Sequence, residues 1–167
     1  MSDRKSVQER EYLRPVTEND IWLLYEWAND PSVRRNSFNT NPITKEEHQS
    51  WFQKKLDSNL DHLYIYGIID EKSRKKEIGQ IRIAEEYSEG RAEISYSIAA
   101  PYRGKGYGKR MVLLLEDTVR RNYPAILILT ARVKENNEAS QHVFIACGFK
   151  EHGGPAGENC RIFEKKL

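Results

Sequence analysis

Tyr102-Arg103-Gly104-Lys105-Gly106-Tyr107-Gly108-Lys109 joins a strand-like run at residues 91–99 to an apolar-periodic helix that starts near Gly106. Glycines at alternate positions let this backbone turn tightly and keep side chains away from its amides. Successive N–H groups at a helix start form an anion cradle. The helix dipole and the charges of Arg103, Lys105 and Lys109 reinforce it. The stretch therefore reads as a seat for a diphosphate, and the fold turns on which one.

A Walker A loop needs Ser or Thr after its lysine, and Lys109 is followed by Arg110. A dinucleotide fingerprint needs Gly-x-Gly-x-x-Gly after the first strand of a βαβ unit. Here the spacing is Gly-x-Gly-x-Gly, and it stands past mid-chain. A kinase loop lies in a hairpin and requires a later lysine and aspartate set that this chain lacks. The pattern that remains is Arg/Gln-x-x-Gly-x-Gly/Ala, matched by Arg103, Gly106 and Gly108.

Upstream, residues 11–16 read as a strand. Thr17 with Asp20 reads as a capping box, opening a helix whose one face is Ile21, Leu24, Tyr25 and Ala28. Asn29-Asp30-Pro31 ends it, and Thr44 with Glu47 opens a second helix reaching about Leu56. Strands follow at 62–70, 77–85 and 91–99, joined by a charged tip (71–77) and a connection at 87–90. Downstream of the glycine loop, the long helix turns Met111, Leu114, Leu115, Thr118 and Val119 inward. A strand at 125–132, a helix at 137–147 and a closing pair near 150–152 and 161–165 complete the order. Meandering strands followed by a βαβ crossover indicate an α/β fold with a mixed sheet.

The loop pattern resembles motif A of the GNAT N-acetyltransferase superfamily, which holds the pyrophosphate of acetyl-CoA. A second segment, Asn137-Glu138-Ala139-Ser140 through Phe144 to Gly148-Phe149, is similar to that family's Asn-x-x-Ala/Ser-x-x-x-Tyr-x-x-x-Gly-Phe and stands at the usual distance. The resemblance covers residues 91–149. It implies a GNAT-like, mixed, mostly antiparallel central sheet, splayed at the fourth strand and flanked by helices, in a single domain over residues 1–167. It also implies acetyl-CoA as cofactor, with its arm in the splay. The cofactor residues it implies are Arg103, Gly104, Lys105, Gly106, Tyr107, Gly108 and Lys109 for the diphosphate, and Ser97, Ile98, Asn137 and Phe144 for the arm. The backbone of Ser97 and Ile98 would also support developing charge on the acetyl carbonyl.

Composition agrees with a soluble globular chain: 167 residues, 31% charged, 38% apolar, net charge +2. That charge is too small to argue for nucleic acid or an acidic membrane. No apolar run reaches about 18 residues, residues 1–12 are charged throughout, and Cys147 and Cys160 show no disulfide frame. The expectation is a reduced, cytoplasmic protein. The four histidines and two cysteines have no metal-ligand spacing, so no metal is expected.

Acetyl transfer to an amine needs a deprotonated nucleophile, a polarised carbonyl and a fate for the departing thiolate. Strand alternation puts Glu93, Ser95 and Ser97 on one face and Ile94, Tyr96 and Ile98 on the other. Glu93 is the candidate base, or else a strand carboxylate paired with a neighbour such as Arg82 or Arg91. The family's usual acid is a tyrosine where this chain has Phe144, which cannot donate a proton; Tyr96, Tyr102 and Tyr107 stand as unranked substitutes. Asn137 either bonds the cofactor arm or caps the following helix, or both.

In the N-terminal half, Trp27-Ala28-Asn29-Asp30-Pro31-Ser32-Val33-Arg34 and Glu47-His48-x-x-Trp51-Phe52 resemble the branch of nucleotide-linked amino-sugar N-acetyltransferases. A related pattern occurs in enzymes that acetylate ribosomal-protein N-termini. Phe38, His48, Trp51 and Arg82 are the candidate acceptor residues. His48 with Trp51 and Phe52 could form an aromatic platform with one polar edge, or pack into the core. The acceptor is expected to be a small-molecule amine, with neither nucleic acid nor membrane as partner and a homodimer left open. A peptide acceptor and a silent acyl-CoA-binding protein are the competing readings.

Overall fold

Seven strands form one sheet in the order β1-β2-β3-β4-β5-β7-β6. They are β1 (Arg10–Pro15), β2 (Asp61–Ile69), β3 (Lys75–Glu85), β4 (Arg91–Ile98), β5 (Ile128–Lys134), β6 (Lys150–His152) and β7 (Cys160–Lys166). The computed structural model describes residues 9–86, 90–153 and 159–167. Every neighbouring pair is antiparallel except β4 with β5. The connection expected at 87–90 lies outside the described residues, apart from Gly90.

Alternation along the strands builds two cores. Tyr64, Tyr66, Ile81, Ile83, Ala92 and Ile94 point to one face, where α4 (Tyr107–Asn122) and α5 (Glu138–Ala146) cover them. On α4, Met111, Leu115 and Val119 are wholly buried as the 3.6-residue period predicts; Val112 joins them, while Leu114 and Thr118, also expected inward, are only half-buried at the edge of the stripe. Leu63 and Ile65 point the other way. They meet Leu24 of α1 (Ile21–Ala28) and Phe52 of α3 (Lys45–Asp57).

Both helix starts read from capping boxes are present. Asp20 Oδ2 accepts from the Thr17 N–H at 2.8 Å, closing a 3-10 turn (Glu18–Asp20) ahead of α1. The Glu47 N–H donates to Thr44 Oγ1 at 3.2 Å, and Glu47 Oε2 takes the Thr44 N–H at 2.9 Å. Two elements depart from the sequence reading. A short α2 (Pro31–Asn36) follows α1 directly, capped by Asp30 Oδ1 on the Ser32 and Val33 N–H groups. The fifth strand starts three residues late, because the Leu127 and Ile128 N–H groups both go to the Gly90 carbonyl before the ladder begins.

Candidate active site

The β4–β5 pairing lasts only from Arg91↔Ile128 to Glu93↔Thr130. Beyond it each strand keeps its outer partner, β4 to β3 as far as Ile98 and β5 to β7 as far as Lys134. The sheet therefore splays at Glu93 and leaves an unpaired edge along 94–98.

Which backbone groups face that gap follows from the ladder. The Ala99 N–H bonds Ile78 on the β3 side, and the Arg91 carbonyl accepts from Glu86 on the same side. A two-residue repeat then turns the backbone groups of Ser95 and Ser97 to β3, and those of Ile94, Tyr96 and Ile98 to the gap. This corrects the expected pair. Adjacent strand residues cannot both face one neighbour, so Tyr96 replaces Ser97 beside Ile98. The Ile98 carbonyl is taken by Arg103 Nε at 2.8 Å, which leaves its N–H for a ligand.

The glycine loop opens at the mouth of the gap. Gly104 and Gly106 have φ of +72° and +82°, the left-handed region, and a Cβ built on either meets nothing within 4 Å. Among the described residues, no N–H from Gly104 to Lys109 has a protein partner. Unpaired amides at the start of a 16-residue helix are the kind of feature that can bind an anion. Tyr107 and Gly108 open that helix, and the built Cβ of Gly108 would come within 3.3 Å of Val143 on α5. Lys105 and Lys109 sit beside the amides. The Arg103 guanidinium does not join them, because Nη2 pairs with Asp30 Oδ1 at 2.9 Å. That ion pair ties the loop to the start of α2.

Asn137 caps α5, accepting the Ser140 N–H at 3.3 Å and donating to Ser140 Oγ at 3.1 Å. Tyr96 Oη reaches the same Ser140 Oγ at 3.3 Å. Of the three candidate tyrosines, Tyr96 is the one on the unpaired edge; Tyr107 Oη donates to Glu9 instead, and Tyr102 stacks edge-on to Tyr107. Burial pushes the Tyr96 hydroxyl up to about 12, with the Ser140 bond opposing. Phe144 needs a further correction. Its ring is only 2% exposed and enclosed by Tyr96, Phe149 and Phe163, so it belongs to the core and not to the surface of the gap.

On the opposite sheet face, the helices stop short of β4 and β5 and leave a polar floor. Arg132 Nε donates to Glu93 Oε2 at 3.1 Å, at the vertex of the splay, and its guanidinium lies 5.3 Å from the Phe38 ring centroid. Arg82 Nε donates to Ser95 Oγ, and its guanidinium lies 5.1 Å from the Trp51 ring. Gln80 bonds Ser97 Oγ at 3.2 Å, and Lys134 Nζ reaches the Arg35 carbonyl. Phe38 is 54% exposed. Glu93, Phe38, Trp51 and Arg82 thus lie on one surface. Arg132 and Lys134 were missed, although their two-residue spacing on a strand beside the opening was a usable signal.

His48 is not part of this surface. It is 2% exposed, donates Nε2–H to the Ile21 carbonyl at 2.7 Å, and packs between Tyr25, Trp51 and Phe52. Burial holds its pKa below the usual histidine value, with the Ile21 bond opposing. A histidine depressed in the fold contributes stability above its unfolded value near 6.5, and loses it as pH falls through the folded value. Urea unfolding of the wild type should weaken between pH 7 and 5 more steeply than that of His48→Gln. His48→Ala should cost about 2–4 kcal/mol through cavity and lost hydrogen bond, yet leave turnover per folded molecule unchanged.

The N-terminal motif residues are likewise framework. Asn29 bonds both backbone groups of Ile43, at 3.0 and 2.8 Å. Arg34 binds the carbonyls of Ala28, Asn39 and Asn41 and the Ser37 hydroxyl. Together they shape the loop that carries Phe38. Among the described residues, no group of three or more His, Cys, Asp or Glu side chains could hold a metal ion, and no helix is long and apolar enough to cross a membrane.

Residues 10–150 match the family described as Acetyltransferase (GNAT) domain. The chain belongs to the GNAT acetyltransferase family. A domain from Methanocaldococcus jannaschii superposes with a TM-score of 0.84 at 25% identity, covering 96% of this chain and all of that one. The spermidine N-acetyltransferase of Vibrio cholerae, solved with CoA and spermine, superposes at 0.79 with 19% identity over 93% of this chain and 95% of its own. An uncharacterized protein of M. jannaschii is 26% identical over 158 residues, 93% of this chain; the chain spans 31% of that protein's length. The splay and the glycine loop both lie within the residues that match the GNAT family.

Proposed function

We propose that this GNAT domain transfers an acetyl group from acetyl-CoA to the primary amine of a small acceptor, by direct attack in a ternary complex. The acceptor is proposed to be an amino-sugar nucleotide. The observation that carries the reading is the row of unpaired amides from Gly104 to Lys109, continuous with the unpaired edge at Tyr96 and Ile98. Acetyl-CoA supplies an acyl group already activated as a thioester.

The chain's residues bind, orient and move protons around it. The loop amides hold the diphosphate, with Lys105 and Lys109 adding charge. The Tyr96 and Ile98 backbone groups hold the arm in register, so that positioning does most of the work. Glu93 Oε2 is held by Arg132, which leaves Oε1 to take the ammonium proton, directly or through one water. Tyr96, on the unpaired edge, donates its hydroxyl to Ser140 Oγ, where it would orient the arm.

The test is release of free thiol from acetyl-CoA with a panel of amines: an amino-sugar nucleotide, spermidine, and peptides with a free N-terminus or lysine. Thiol release that follows the amino-sugar nucleotide supports the reading. Preference for a peptide would replace the acceptor, and silence with every amine at millimolar concentration would remove the transferase reading.

A further inference from the structure

The guanidinium of Arg82 carries five N–H donors, and among the described residues only Nε has a hydrogen-bond partner, the Ser95 hydroxyl. Neither terminal nitrogen of Arg82 is a fully buried atom without a partner, so both are accessible to solvent. One flat face of the group is backed by Trp51, which fixes the plane of the fork. Burial holds the Arg82 pKa below its ordinary value, with Asp61 and Glu93 opposing. Asp61 is already bonded to Lys55 at 2.6 Å, and Glu93 to Arg132. A partly buried cation with no committed anion, beside two further cations on the same floor, is set for an anion from outside.

We infer that Arg82, assisted by Arg132, binds an anionic group of the acceptor itself, a phosphate or a carboxylate, and holds it across one ring's width from the amine that Glu93 deprotonates. Register sets that span. Arg82 stands opposite Ser95, and Glu93 is two residues further along β4. Diagonal neighbours of this kind lie about 7–8 Å apart. A hexose ring with its amine at one end and a phosphate or carboxylate at the other fits; a free α-amino acid, with both groups on one carbon, does not. Phe38, 54% exposed, offers an aromatic surface suited to the apolar side of such a ring. The same floor disfavours polycations, which would meet Arg82, Arg132 and Lys134, with Asp61 already bonded to Lys55 and Glu93 to Arg132.

This inference rests on the transferase reading, and its test separates the two. Calorimetry with excess CoA present, so that the glycine loop is filled, would compare glucosamine 6-phosphate, glucosaminuronic acid and the neutral methyl glycoside of glucosamine. The charged probes should bind about 10- to 100-fold tighter than the neutral one, the range of one charge-assisted hydrogen bond. Preference for the phosphate or the uronic acid tells which anion is read. In Arg82→Gln the preference should collapse, and Arg82→Lys should restore part of it. CoA affinity and melting temperature should stay at wild-type values in both variants. Equal or undetectable binding of charged and neutral probes by the wild type overturns the inference, as does a preference that survives Arg82→Gln. Thiol release with neutral and charged amines alike would leave the transferase reading standing without it.

Discussion

Gly106→Glu is expected to lower acetyl-CoA affinity at least a hundredfold while the protein still folds. The backbone of Gly106 lies at φ +82°, so any side chain there is strained by about 1–2 kcal/mol. That cost is local and affordable, because a Cβ at this position meets nothing within 4 Å. The loop amides on either side of it have no protein partner. A carboxylate there repels a diphosphate and blocks its bonds to the loop. Losing two charge-assisted hydrogen bonds at about 1.5–3 kcal/mol each already exceeds a hundredfold. Gly106→Ala separates the causes, since it carries the strain without the charge, and should lose tenfold or less. Calorimetric titration with CoA, alongside thermal melts, reads both. CoA affinity in Gly106→Glu within threefold of wild type would remove the diphosphate from this loop.

How far the sequence discloses this site depends on the range of the contacts involved. Local rules carried the glycine loop, both capping boxes, the α4 stripe and the face of β4 that holds Glu93, since each is written within a few residues. The short α2 was also local: Asp before Pro31 is an N-cap followed by a proline at the first helical position. Its six residues bury no side chain fully, so periodicity gave no sign of it. Long-range partners were out of reach. Arg103 reads as a phosphate ligand until Asp30, 73 residues away, is seen to hold it. Phe144 reads as a wall of the gap until Phe149 and Phe163 close around it. The Ser97 reading is a different kind of miss, because strand alternation applied to backbone groups as well as side chains excludes a consecutive pair. Asn29 and Arg34 of the N-terminal motif act at one remove, fixing the loop on which Phe38 stands, while Asp30 caps α2.

Glu93→Gln is expected to lower turnover about a hundredfold, within the range for loss of a general base, with acetyl-CoA affinity unchanged. Glu93 is the last β4 residue paired to β5, so its side chain stands where the gap closes and leaves the strand on the acceptor face. Arg132 fixes one of its oxygens, and glutamine keeps the shape and one hydrogen-bonding oxygen for that contact. The substitution therefore removes proton affinity and little else. A readout independent of turnover size is available. As pH rises, more of the acceptor amine is deprotonated in solution and the need for a base on the enzyme falls. The ratio of wild-type to variant rates should therefore shrink steadily toward alkaline pH. If Glu93 only anchors Arg132, the variant will lose stability or acceptor affinity, its kcat will match wild type, and the ratio will be flat with pH. A flat ratio would leave deprotonation of the amine to solvent and reduce the enzyme's contribution to holding two substrates across an opened sheet.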